Sequence, residues 1–363
     1  MSIGPSYAQT PTTSALNMLV LGVDVNGQGY PIVMIDMAHG TADTLATFAS
    51  RPVCQPSLTP DGQMLLYELY DESGLPYVYQ INISQRERVL LEIHDQSFLN
   101  CPLISSDANA IAWHQPTSDG KTALVLTDMQ GKNLKTLQIH STILDMQWTP
   151  SGGAMVYQVV DEQALFSELV SLPREGGAMP RVVFQSNNGI LIDYMWTSDS
   201  TGLLVAYATD QDVSIALLPT PCVIGPGPQC VPEPLASFPA GADIKFFNAY
   251  APLSRQVVLA VQLESFESGS YYTDLWLLDL ANAGKVRQIT NSAELIESDA
   301  VWSPDETTLY FIGSQLDETS QTLRGGIYML DMTAINPSPI LVFQSAVFSP
   351  SSFLHVYTLP LQG

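Results

Sequence analysis

Apolar runs along the chain are short, rarely more than about eight residues, and small polar clusters rich in Ser, Thr, Pro, Asp and Gly separate them, a pattern of strands and turns rather than helices. LLVAYATD (203–210) and TLYFIGSQ (308–315) are typical, dense in β-branched and aromatic side chains. Others, such as VVLAV (257–261), are apolar at every position, which predicts strands covered on both faces. No long amphipathic helical stretch interrupts them.

One phrase recurs. AVWSPDETTLYFIGSQ (300–315) reads as strand, tight turn and returning strand, and related stretches begin at Ser57, Leu103, Gln147, Met195, Ala249, Val301 and Val347. Aligned on the turn they place Pro60, Ser106, Pro150, Ser198, Pro252, Pro304 and Pro350 in one column, spaced by 46, 44, 48, 54, 52 and 46 residues. Two positions earlier stand Leu58, Ile104, Trp148, Trp196, Tyr250, Trp302 and Phe348, all large and apolar; one position earlier every residue is Ser or Thr except Ala251. Pro presets φ at the first central turn position, and an Asp side chain bonds the backbone two residues on.

Between phrases two more strands recur, of the type DLWLLDL and KVRQIT. Four antiparallel strands at a period of this size predict an all-β fold, a β-propeller of seven four-stranded blades, with six or eight as alternatives. The last blade is expected to be shared between the chain ends. YPIVMIDM (30–37) and TLATFA (44–49) supply its third and fourth strands, while MLVLGVDV (18–25) and LHVYTLP (354–360) compete for its second. Residues 1–17 read as a flexible leader and 18–363 as a single propeller domain.

Charge narrows the partners. With 13 Lys and Arg against 36 Asp and Glu the formal net charge is −23, and no basic run exists to hold phosphates, which excludes nucleic acid. No stretch reaches the roughly 18–20 apolar residues of a membrane helix. The N-terminal MSIGPSYAQTPTTSALN lacks the basic and apolar regions of an intact secretory signal. Cys222 and Cys230 bracket VIGPGPQ in a Pro- and Gly-dense segment, so a disulfide between the third and fourth strands of that blade is expected, as in an oxidising compartment. Cys54 and Cys101, near the starts of neighbouring inner strands, read as buried apolar residues.

Catalytic chemistry is sparse. The five histidines form no HExxH or paired spacing and read as structural or surface residues; neither a metal site nor a cofactor is expected. DVNGQG (24–29) has a calcium-like Asp and Asn but lacks a later carboxylate, so a hairpin turn is the better reading. One column stands out. Five positions before the aligned Pro are Gln55, Cys101, Asp145, Asp193, Phe247, Asp299 and Ser345. If the phrase's first strand is innermost, Asp145, Asp193 and Asp299, with Gln55, converge near one mouth of the central channel. There they would hold a cation or a basic group of a partner, or else accept bonds from nearby backbone N–H groups.

The Trp-Ser/Thr-Pro-Asp-Gly type of turn, followed by a DLWLLDL-type strand, resembles the TolB-like (PD40, WD40-like) β-propeller repeats from about Met18 to the end. That resemblance implies the fold and an extracytoplasmic protein that binds partners through its propeller. Two departures stand beside it: TolB-like rings have six blades, and no separate α/β domain precedes the strands. Propellers of this kind also accompany α/β-hydrolase domains in prolyl-oligopeptidase-like peptidases, but no GxSxG nucleophile elbow occurs. The expectation is a non-enzymatic scaffold or accessory subunit that binds another protein, a basic segment or a membrane-complex subunit. The alternative is a propeller hydrolase or lyase that acts on a sugar or lactone.

Overall fold

A computed structural model of the chain describes residues 16–24, 29–49, 52, 54–70, 76–91, 99–140, 142–161, 166–175, 179–186, 190–263, 273–292, 295–317 and 322–358. The strands fall into seven four-stranded antiparallel sheets, each one blade of a ring. Three strands from the start of the chain, β1 (Leu16–Asp24), β2 (Tyr30–Asp36) and β3 (Thr41–Phe48), wait for a partner from its end. Blade 1 is β4 (Ser57–Leu58), β5 (Met64–Tyr70), β6 (Pro76–Asn82) and β7 (Glu87–Leu90). Blade 2 is β8 (Asn100–Ile104), β9 (Ile111–Pro116), β10 (Thr122–Thr127) and β11 (Lys135–His140). Blade 3 is β12 (Ile143–Trp148), β13 (Ala154–Asp161), β14 (Phe166–Pro173) and β15 (Arg181–Gln185).

Blade 4 is β16 (Leu191–Trp196), β17 (Gly202–Ala208), β18 (Asp212–Pro219) and β19 (Glu233–Pro239), with a one-turn helix α1 (Thr220–Ile224) before its last strand. Blade 5 is β20 (Asp243–Ala251), β21 (Gln256–Gln262), β22 (Asp274–Asp279) and β23 (Lys285–Gln288). Blade 6 is β24 (Ile296–Trp302), β25 (Thr308–Asp317), β26 (Thr322–Asp331) and β27 (Ile340–Phe343). Blade 7 is β28 (Phe348–Thr358) followed in space by β1, β2 and β3. From blade 4 through blade 7 and on to blade 2 the first strands of successive blades neighbour one another around the channel, so the opening strand of the phrase is the innermost.

Burial follows the ring. Seven apolar clusters fill the seven interfaces between consecutive blades, and neighbouring residues of one strand serve different clusters. On β1, Met18 and Val20 pack towards blade 6, while Leu19 and Leu21 pack towards blade 1. That is why these strands are apolar on both faces. The aromatic column lies in the same interfaces. Trp148 Nε1 donates to the Leu103 carbonyl (3.1 Å) and Trp302 Nε1 to the Ala249 carbonyl (3.0 Å), each tying its blade to the previous one.

The repeated turn has a local cause. Thr59, Ser105, Thr149, Thr197 and Ser303 each donate their N–H to the carbonyl five residues on, and each hydroxyl accepts that same residue's N–H. Asp61, Asp107 and Asp305 accept the hydroxyl proton at 2.6 Å in their own turns. Two residues past the Pro position the backbone is left-handed: Gly62 (φ 70°), Ala108 (54°), Gly152 (69°), Ser200 (60°) and Glu306 (55°). Glycine is the unstrained choice there, and three blades do without it.

Blade 7 departs from the phrase. Its stretch does not turn: Phe348–Thr358 is one continuous strand, so the LHVYT of LHVYTLP belongs to the innermost strand and the MLVLGVD of MLVLGVDV to the second, residues 25, 359 and 360 lying outside the described residues. β1 already fills the second position, pairing Asp24 with Phe348 and Leu16 with Thr358, and satisfies the backbone a returning strand would have paired. Ser349-Pro350-Ser351-Ser352 also lacks the Asp or Gly present in every other turn but that of blade 5. Pro350, without an N–H to donate, lies beside a register shift opposite Gly22. A Cβ at Gly22 would meet the Phe348 ring at 2.7 Å, so the close crossing needs glycine. In the DVNGQG hairpin, residues 25–28 lie outside the described residues; Asp24 N–H bonds the Gly29 carbonyl at 2.8 Å.

Candidate functional site in the central channel

Five inner strands break at the same place. The pairing of β8, β12, β16, β20 and β24 with their second strands shifts register between Asn100 and Leu103, Ile143 and Met146, Leu191 and Asp193, Phe246 and Tyr250, and Ser298 and Ala300. The shifts coincide with the column of Cys101, Asp145, Asp193, Phe247 and Asp299. A bulge leaves an extra residue unpaired and re-aims its side chain. Cys101 and Asp299 adopt left-handed φ values of 54° and 46°.

Asp145, Asp193 and Asp299 line one chamber of about 830 Å3 in the channel, and Gln55 is on its wall too. Asp193 accepts the N–H of Tyr194 (2.8 Å) and, across the blade boundary, that of Phe246 (2.7 Å). Asp299 accepts the N–H of Phe353 in blade 7 (2.6 Å). Two of the three aspartates therefore also bind neighbouring blades to one another. Asp145 is the one exposed to the lumen.

Burial pushes Asp193 and Asp299 up to about 6, against the pull of the backbone N–H groups and of the Lys245 ammonium. Asp145 is raised as well, because protein surrounds the lumen on all sides and thins its hydration. Three further charged residues line the chamber: Asp243, Lys245 and Glu297. Glu297 is 1% exposed and is pushed up to about 7 by burial, despite donors at Ser292 Oγ (2.5 Å), Leu275 N–H (3.1 Å) and the Thr290 hydroxyl. Sequence reasoning passed over these three. Their signal is charge inside an apolar inner strand, at Lys245 in DIKFFNAYA and Glu297 in IESDAVW.

The cysteines differ in part from expectation. Cys222 and Cys230 are bonded, with Cα atoms 5.7 Å apart, in the connection between β18 and β19. Cys230 N–H reaches the Val183 carbonyl (2.9 Å), and Arg181 donates to the carbonyls of Val223 (2.9 Å), Pro228 (2.8 Å) and Cys222, which fastens this loop over blade 3. Cys54 and Cys101 are not separate buried thiols: they form a second disulfide. They lie 47 residues apart, about one repeat, so adjacent inner strands bring their Cα atoms to 5.2 Å. Glu68 accepts the Cys101 N–H at 2.6 Å; it and the two sulfurs are the one group of three potential metal ligands among the described residues. With both sulfurs bonded to each other, that group offers a metal only the carboxylate.

No family profile and no curated protein matches the sequence. Among solved structures, oligogalacturonate lyase from Vibrio parahaemolyticus is 9% identical with a TM-score of 0.61, over 87% of this chain and 97% of that one. The β-propeller domain of the Trilobed protease from Pyrococcus furiosus is 13% identical with a TM-score of 0.52, over 79% and 84%. TolB from Acinetobacter baumannii is 14% identical with a TM-score of 0.50, over 94% of this chain and 67% of TolB. These likenesses show the fold: a TolB-like, WD40-like β-propeller, here with seven blades. Among the described residues no helix is long and apolar enough to cross a membrane.

Proposed function

We propose that this protein is a non-enzymatic binding scaffold outside the cytoplasm that receives a basic segment of a protein partner at the acidic mouth of its channel. One observation carries the reading. Five carboxyl groups (Asp145, Asp193, Asp243, Glu297 and Asp299) line the chamber against the single ammonium of Lys245. In a narrow low-dielectric channel such an imbalance focuses an attractive field on cations and repels anions. Two disulfides fit an oxidising compartment. The test spares Asp193 and Asp299, whose reversal would break bonds between blades. Asp145→Lys should fold normally yet lose partner capture from the native envelope, and capture by the wild type should weaken with salt. Undiminished capture by this variant would place the binding surface elsewhere.

A second reading has a specific observation behind it. Asp193 and Asp299 near 6 and Glu297 near 7 are in the range where a carboxyl both gives and takes protons at neutral pH. This favours a hydrolase or lyase acting on a neutral sugar or lactone. A polyanionic substrate, of the kind named for the oligogalacturonate lyases, would meet five carboxyls. Turnover of neutral glycoside or lactone substrates that is lost in Asp193→Asn would establish it.

A further inference from the structure

The inner strand of blade 1 is the shortest in the ring. β4 has two residues, where the other inner strands run from five to eleven. Two links tie this part of the blade to blade 2: Ser57 Oγ accepts the Ile104 N–H at 2.9 Å, and Cys54 is bonded to Cys101. Three segments meet at that second link. Cys54 precedes β4, Glu68 belongs to β5, and Cys101 sits at the bulge of β8 with a left-handed φ of 54°. One potential ligand atom from each, two sulfurs and a carboxylate oxygen, lie within 4.8 Å of one another.

The surroundings suit a metal once the sulfurs part. Glu68 is 1% exposed, and its Oε2 accepts the Cys101 N–H at 2.6 Å, which fixes the carboxylate beside both sulfurs. Both cysteines are half-buried, so a reductant and then an ion have access to them. Neither cysteine is held in a strand pair: Cys54 lies before β4, and the bulge leaves Cys101 out of the pairing of β8 with β9. The sulfurs can therefore separate without breaking a ladder. In a tetrahedral zinc site, two sulfurs at ~2.3 Å from the ion stand about 3.8 Å apart. Side-chain rotation supplies that separation from Cα atoms 5.2 Å apart.

We propose that in their dithiol form Cys54 and Cys101, together with Glu68, bind one zinc ion, so that the seam between blades 1 and 2 has two alternative staples, a disulfide and a metal. A dithiol donor passes two electrons and two protons to the Cys54–Cys101 bond. That bond breaks, two thiols remain, and the donor leaves as its own disulfide. Zinc then displaces the two thiol protons and forms two Zn–S bonds; Glu68 gives an oxygen ligand and water takes the fourth position. Two thiolates select zinc over calcium or magnesium, which require oxygen donors. Each staple excludes the other because both use the same sulfurs. Cys222 and Cys230 belong to no such group among the described residues, and their bond is structural alone.

The test uses the full chain, reduced with a phosphine so that no added thiol competes, and titrated under nitrogen with Co2+ and then Zn2+. Expected are the thiolate charge-transfer band and the strong visible bands of tetrahedral Co2+, saturating at one ion per chain and erased by zinc. The bands should remain in Cys222→Ser and vanish in Cys101→Ser. Glu68→Gln keeps an oxygen for the Cys101 N–H and should weaken zinc binding by at least about tenfold. Bound zinc should also protect Cys54 and Cys101 from alkylation. A folded, reduced chain without the thiolate band would overturn the proposal, and so would a band that persists in Cys101→Ser. Zinc affinity unchanged in Glu68→Gln would overturn the three-ligand site. Zinc held as tightly by the unreduced chain would place the ion elsewhere, among the channel carboxylates. Should reduction unfold the chain, zinc must restore the sheet signal in circular dichroism, and failure to do so would also sink the proposal.

Discussion

On the turn face, Asp107 and Asp305 close their own hairpins; at the channel bulges, Asp193 and Asp299 face a confined lumen. The same residue type in the same repeat is driven in opposite directions. Burial tends to raise Asp107, but Ser105, Asn109 and Arg174 together overcome it and hold the carboxyl at about 2. Asp305 is lowered, first by the Ser303 hydroxyl and then by the Thr307 N–H. At the bulges desolvation is the largest effect and the donors are too few to offset it. An aspartate surrounded by local donors stabilises a turn. An aspartate short of donors in an enclosed space is held at a cost, and that cost is what a cationic ligand would relieve.

The aromatic belt between the two faces supports both, and breaking it should have the largest effect. Trp302→Ala removes a side chain that packs into the interface of blades 5 and 6 and donates to Ala249, and should cost about 3–5 kcal/mol in urea unfolding. A loss near zero would mean that Trp302 is not part of the interface.

The two faces also predict opposite pH behaviour. Asp193 and Asp299 have folded values near 6, above the ordinary 3.8, so their protonated forms favour the folded state. Their stabilising contribution is complete below pH 3.8 and is lost as the pH rises through about 6. Each is worth at most roughly 3 kcal/mol across that window, at about 1.4 kcal/mol per pH unit. The melting temperature should therefore be higher at pH 5 than at 7.5, and Asp193→Asn should flatten the difference. Asp107 works the other way: its contribution is present above pH 3.8 and is lost as the pH falls towards 2. A melting temperature that falls steadily from pH 7.5 to 5 would contradict the raised values at the bulges.

A single turn should show the smallest effect. Ser303→Ala deletes the acceptor for Thr308 N–H and the donor to Asp305, and should cost about 1 kcal/mol in chemical denaturation without altering partner capture. Loss of capture in this variant would show that the turn face takes part in binding.

The propeller was legible in the sequence because its code is local. Five of the Ser/Thr turns are closed by bonds among residues at most five apart, so the phrase is written locally and its seven aligned copies announce seven blades without reference to one another. The apolar runs on either side reveal strands buried on both faces for the same reason. Closure was not local. Whether LHVYTLP turned back or ran on depended on β1, more than 300 residues earlier in the chain, already occupying the neighbouring position. The Cys54–Cys101 bond likewise needed adjacent inner strands in register. The Asp column was visible as a column, but its nature was not: the bulges that aim it, the N–H groups of the next blade that hold Asp193 and Asp299, and the arrival of Lys245 and Glu297 arise only when strands from different blades meet. Hydrogen bonds within a turn are set by neighbours along the chain, whereas desolvation and the field in a channel sum over every blade around it, and only the closed ring decides them.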